Sequence, residues 1–165
     1  MNKKKKREKF NNLAMEKTRQ SVTPPTPARS TSAPASSLTE AWGTFLRERP
    51  WSLIAHLTFP NRVHAEQAAR RFSHWIIRLE RQRGRRVRGP IVWVRGTEQQ
   101  QRGVVHYHAL LAQTGRLRPF AAMRIWEELA GGSARVFAYD PARRGIAYIV
   151  KDGEIDVSRD WFGDA

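Results

Sequence analysis

Apolar and polar positions follow two rhythms along this chain. Residues 51–59 form a short apolar run stopped by Pro60-Asn61, which predicts a buried strand. From residue 63 to 83 the spacing changes: Ala68, Phe72, Trp75 or Ile76, and Leu79 recur at three to four, while Arg70, Arg71, Arg78 and Arg81 mark the opposite side. That is the period of an amphipathic helix, and Gly84 marks its end. Ile91-Val92-Trp93-Val94-Arg95 and Val104-Val105-His106-Tyr107-His108-Ala109-Leu110-Leu111 read as the second and third strands. A second helix is predicted over 119–129, ended by Gly131-Gly132, and a fourth strand over 134–139. Asp140-Pro141 then supplies an N-cap and a proline at the first helical position, predicting a third helix to about residue 152. Strand, helix, strand, strand, helix, strand, helix is the order of an α+β fold. It matches the ferredoxin-like split βαβ antiparallel sheet with an extra C-terminal helix, its first and third strands central.

The first 38 residues carry no such rhythm. Lys3-Lys4-Lys5-Lys6-Arg7 opens a basic arm, and a Pro/Ser/Thr/Ala-rich stretch follows. Such a segment buries too little apolar surface to offset its ordering entropy. Residues 1–38 are therefore expected to be a disordered tail and residues 39–165 the folded domain. Lys+Arg number 30 against 15 Asp+Glu, a net charge of +15. Most of the cations are arginine, suited to bidentate phosphate contacts. That balance points to a polyanionic partner, nucleic acid before membrane. Cysteine is absent, which excludes disulfides, thiolate metal sites and a cysteine nucleophile. No apolar run reaches membrane-spanning length, and no hydrophobic region follows the lysines as in a secretory signal. The expected location is inside a cell: cytoplasmic if bacterial, nuclear if encoded by a eukaryotic virus.

Strand alternation gives the candidate chemistry. His106 and His108 lie two apart, so both imidazoles project to one face, while Val105, Tyr107, Ala109 and Leu111 face the other. Taken alone, such a pair reads first as two satisfied sheet-surface histidines and second as part of a divalent metal site. Gln101-Arg102-Gly103 fits a three-residue hairpin loop with glycine in the left-handed position. Centring the hairpin on Arg102 sets Glu98 opposite His106 and Gly96 opposite His108, on the same face. Glu98, His106 and His108 are then candidate ligands for Mn²⁺ or Mg²⁺. On the last helix Tyr148 shares a face with Lys151 and Arg144, with Ile146, Ile149 and Val150 turned inward. A tyrosine with cationic neighbours is placed to meet a phosphodiester, and tyrosine is an accepted nucleophile. Taken alone, a Tyr-x-x-Lys pair reads first as an amphipathic cap on the core with its hydroxyl in water.

Three motifs appear in order: Leu57-Thr58-Phe59-Pro60, His106-Tyr107-His108, and Tyr148-Ile149-Val150-Lys151-Asp152. Together, over about residues 51–152, they resemble the HUH endonuclease superfamily, and within it the single-tyrosine rolling-circle replication initiators of plasmids and single-stranded DNA viruses. The resemblance implies nicking and rejoining of single-stranded or hairpin origin DNA through a 5′-phosphotyrosine. Tyr148 would be the nucleophile and Lys151 its cationic helper. Glu98, His106 and His108 would hold the metal, and Arg95, Arg102, Arg143 and Arg144 would contact DNA. A host helicase and polymerase would be partners, since no G-x-x-x-x-G-K-[ST] motif is present.

His56 departs from the first motif, which usually has an apolar or aromatic residue there; it reads as a sheet-surface histidine. Two alternatives stay open. One is a transposase of the same superfamily. The other is a non-catalytic nucleic-acid-binding module on the same fold, stacking bases on sheet aromatics such as Tyr107 and Phe59.

Overall fold

A computed structural model describes residues 35–84, 87–99, 103–143, 145–151 and 154–162. The tail through residue 34, the turn residues Gln101 and Arg102, and Arg144 lie outside the described residues. The elements run α1 (Ala35–Arg47), β1 (Leu53–Thr58), α2 (Ala65–Gln82), β2 (Val92–Gln99), β3 (Val105–Ala112), α3 (Pro119–Ala130) and β4 (Ala134–Ala138). A 3-10 turn (Pro141–Arg143), α4 (Gly145–Val150), β5 (Ile155–Val157) and a second 3-10 turn (Arg159–Phe162) follow. The strands form one five-stranded antiparallel sheet in the order β4-β1-β3-β2-β5. This α+β architecture is compatible with a ferredoxin-like fold, and β3 sits at its centre.

The sheet has two unlike faces. On one, Leu57, Tyr107, Ala109 and Leu111 meet Phe72, Trp75 and Leu79 of α2 and Ile125 and Trp126 of α3. The indoles buried here find acceptors: Trp75 Nε1 donates to the Ala122 carbonyl at 2.9 Å and Trp126 Nε1 to the Thr58 carbonyl at 3.2 Å. Buried ring N–H groups need such partners. On the other face Val92, Val94, Leu110 and Ala112 are covered by Leu46, Trp51, Ile146, Ile149, Val150 and Trp161. Trp42, Phe45 and Trp161 form a ring cluster in this cover, with centroids 5.8 and 5.2 Å apart.

Three expectations change. Helix α1 begins at Ala35, inside the stretch read as tail, because it carries Trp42 and Leu46 onto the second core. The predicted last helix is divided: Asp140 Oδ1 accepts from the Ala142 N–H at 3.0 Å and caps a 3-10 turn, and α4 starts afresh at Gly145. Strand β5 was not legible in the sequence: three residues are too few to show alternation. It pairs with β2 through Val94↔Val157, Arg95↔Asp156 and Gly96↔Ile155. Among the described residues, no helix is long and apolar enough to cross a membrane.

Candidate active site

Pairing registers bring the site together. Between β2 and β3, Glu98 pairs with His106 and Gly96 with His108, the register obtained by centring the hairpin on Arg102. Gly103 has φ 68°, the left-handed conformation that loop requires. Between β1 and β3, His56 pairs with His108 and Thr58 with His106. Directly opposed residues share a face. His56, Thr58, Glu98, His106 and His108 therefore occupy one patch on the sheet face that α4 only partly covers.

Within it, one ligand atom from each of His56, His106 and His108 lies within 4.8 Å of the others. Nδ1 of His56 and Nδ1 of His108 are 2.8 Å apart, and His106 Nδ1 shares a 2.8 Å hydrogen bond with Thr58 Oγ1. His56 is thus a member of the cluster, not an incidental surface histidine. Its signal in the sequence was alternation with Thr58 of the first motif, but its partner lies 52 residues away.

Glu98 stands one bond further out. Its Oε2 lies 3.0 Å from His108 Nε2, and its Oε1 accepts from Lys151 Nζ at 2.8 Å. Of the expected ligand set of Glu98, His106 and His108, the two histidines converge with His56, while Glu98 lies behind His108 and beside Lys151. The Lys151 and His108 hydrogen bonds hold the Glu98 carboxyl down at about 2. An ionised carboxylate only accepts, so Nε2 of a neutral His108 carries the proton and Nδ1 is its lone pair. A carboxylate behind a histidine in this way fixes its tautomer and ring orientation for a metal.

Desolvation lowers His106 to about 4, with the neighbouring His108 adding to the shift. Burial likewise lowers His56, helped by His108 and Arg135. Neutral imidazole is the metal-binding form. Two nitrogens about 2.1 Å from a common ion stand roughly 3 Å apart when their bonds to it are perpendicular. The His56 and His108 nitrogens, which share a 2.8 Å hydrogen bond, are close to that spacing, and with His106 they could hold a divalent ion.

Helix α4 delivers the tyrosine. It approaches β2 so closely that a Cβ on Gly96 would lie 3.0 Å from the Ile149 carbonyl carbon and closer still to its oxygen. Ile146, Ile149 and Val150 are buried beneath it, as the helix pattern predicts. Tyr148 is 52% exposed, with its ring centroid 5.6 Å from that of His108 and 6.0 Å from that of His56.

The four arginines expected at DNA fare differently. Arg95 is corrected: it is 8% exposed, pairs with Asp156 and packs 4.4 Å from the Tyr107 ring and 4.8 Å from the Phe72 ring. It faces the α2/α3 side of the sheet. Arg143 is exposed and pairs with Asp140 at 3.3 Å. Arg102 and Arg144 lie outside the described residues. Tyr107 and Phe59, the aromatics of the base-stacking alternative, are buried in the closed core. Phe137 of β4 is an exposed aromatic on the histidine side of the sheet. Comparison of the chain with protein-family models, characterised proteins and solved structures finds no match.

Proposed function

We propose that this protein is a metal-dependent, HUH-type endonuclease and strand transferase that nicks and rejoins single-stranded or hairpin DNA, as an initiator of rolling-circle replication does. The scaffold is read as a split βαβ ferredoxin-like sheet whose extra helix, α4, carries the nucleophile. The observation that carries the reading is the half-exposed Tyr148 ring standing against His56 and His108.

His56, His106 and His108 would hold the ion, with Glu98 orienting His108; imidazole donors favour Mn²⁺ over Mg²⁺, which prefers oxygen. Bound there, a divalent ion supplies Lewis-acid polarisation of a phosphodiester. Tyr148 Oη attacks phosphorus in line, forming the O–P bond as the P–O3′ bond breaks. The tyrosine loses its proton and the departing 3′ oxygen gains one. Lys151, tied to Glu98, brings positive charge to the edge of the site, where negative charge develops. The phosphotyrosine retains the phosphodiester's energy, so an incoming 3′-hydroxyl rejoins the strand without ATP. The net charge of +15 supports salt-sensitive binding to the phosphate backbone.

The test is a denaturing gel of the protein mixed with Mn²⁺ and a pool of single-stranded and hairpin oligonucleotides. A DNA-shifted protein band is expected, absent in Tyr148→Phe and absent with chelator. Retarded migration in native gels with no adduct, across Mn²⁺, Mg²⁺ and Zn²⁺, would leave only the binding module.

A further inference from the structure

Strand β4 forms one edge of the sheet and buries Ala134 and Val136 in the α2/α3 core. Alternation therefore turns Arg135 and Phe137 to the histidine face. Register fixes where: Arg135 pairs with His56, and Phe137 with Ile54. Phe137 is 51% exposed on a strand whose inward side chains are buried. Arg135 is exposed and makes no ion pair among the described residues.

Two adjoining cavities share His56 and Phe137. The larger, about 350 Å³, also has His106, Ser133 and Arg135 in its walls. The smaller, about 190 Å³, runs between Phe137, Tyr148 and Arg143. Phe137 thus stands, with His56, in the wall shared by the cavity at the histidine cluster and the cavity at the tyrosine. A lone exposed aromatic is ordinary on a protein surface. One flanked by a cavity on each side, beside an exposed arginine and inside a strongly basic chain, has the makings of a base-stacking platform. Single strands are held by aromatic faces interleaved with cations, because every base has a π-face and every link a charge.

We infer that Phe137 and Arg135 seat one nucleotide of a single DNA strand, the base stacked on the Phe137 ring and a phosphate facing Arg135. The strand then runs along β4 past His56 toward Tyr148. The choice of DNA rests on the proposed nicking reaction; the seat itself is a binding site and needs no chemistry. It makes β4 a determinant of how the strand enters, separate from the metal ligands on β1 and β3.

Affinity is measured by fluorescence anisotropy of a fluorescein-labelled, mixed-sequence 20-nucleotide single strand. The full-length Tyr148→Phe protein in EDTA excludes both adduct and metal. Phe137→Ala should weaken binding about 5- to 150-fold, the usual worth of one stacked base. Phe137→Trp should restore it and Phe137→Leu should not. Arg135→Gln should lower the slope of log affinity against log salt by about 0.7, one phosphate contact on a single strand. Because both side chains are exposed, unchanged melting temperatures should accompany these effects. Parent-like affinity in Phe137→Ala, or full rescue by Phe137→Leu, would overturn the seat. Adduct formation by the protein with Tyr148 intact is scored separately: adduct without a Phe137 effect retains the nicking reaction and rejects the seat. An aromatic-specific Phe137 effect without adduct does the reverse.

Discussion

The two faces of β3 contain residues of opposite character on one strand. Toward α2 and α3 it presents Val105, Tyr107, Ala109 and Leu111, each sealed in an apolar core. Toward α1 and α4 it presents His106, His108, Leu110 and Ala112. Leu110 and Ala112 are covered like the first set. His106 and His108 are not: with His56 they form a cluster of half-buried to buried imidazoles that reaches a cavity at the end of the sheet. One face is built for stability, since close-packed apolar side chains lose contacts and leave a void when truncated. The other holds polar groups whose desolvation costs stability and whose use is binding.

The largest effect that separates the faces should come from Trp75→Ala. Trp75 is fully buried between α2 and α3, and its truncation should cost about 3–5 kcal/mol. Chemical denaturation measures that loss, and Mn²⁺ affinity of the folded protein should not change with it. If affinity falls in step, the faces are not independent. The converse substitution is His56→Ala, which should leave the denaturation midpoint nearly unaltered but cut Mn²⁺ affinity, read by calorimetry, by more than about 100-fold. Glu98→Gln should cost only roughly 10–100-fold, as for partners that orient a ligand. Reversal of that order would return Glu98 to the ligand set and His56 to the surface.

The histidine face should also show itself in the pH dependence of stability without metal. His106 is lowered from 6.5 to about 4, so between those values the unfolded chain binds the extra proton. Stability is therefore fully present above pH 6.5 and is lost as pH falls through 4. Glu98, lowered from 4.5 to about 2, adds a second loss below pH 4.5. Melting curves of the parent and of His106→Gln should diverge between pH 6.5 and 4. Parallel curves across that window would mean His106 is not desolvated.

The local half of the site was legible in the amino-acid sequence. Alternation in β3 put His106 and His108 on one face, and a glycine-containing turn of known geometry set Glu98 across from His106. The first four strands and the first two predicted helices appear close to their expected positions, because each is long enough to show its period. The rest was hidden for specific reasons. Arg95 looked like a strand-end cation available to phosphate; its burial depends on Asp156 of a three-residue strand with no pattern of its own. Helix α1 was masked by the Ser- and Ala-rich composition of its first turn. Phe137 could be placed on a strand, but not on an open face, until the edges and covers of the sheet were known.

The sequence by itself determined what is local: which side chains share a strand face, the register across one short turn, and a helix with Tyr148 away from its buried side. These follow from backbone periodicity and turn geometry, which act over a few residues. Only the tertiary structure decided what is distant. Pairing of β1 with β3 brought His56 into the cluster, and docking of α4 against Gly96 stood Tyr148 beside it. Such contacts join segments far apart in the chain. Their formation depends on how whole faces pack, which no short window of residues records.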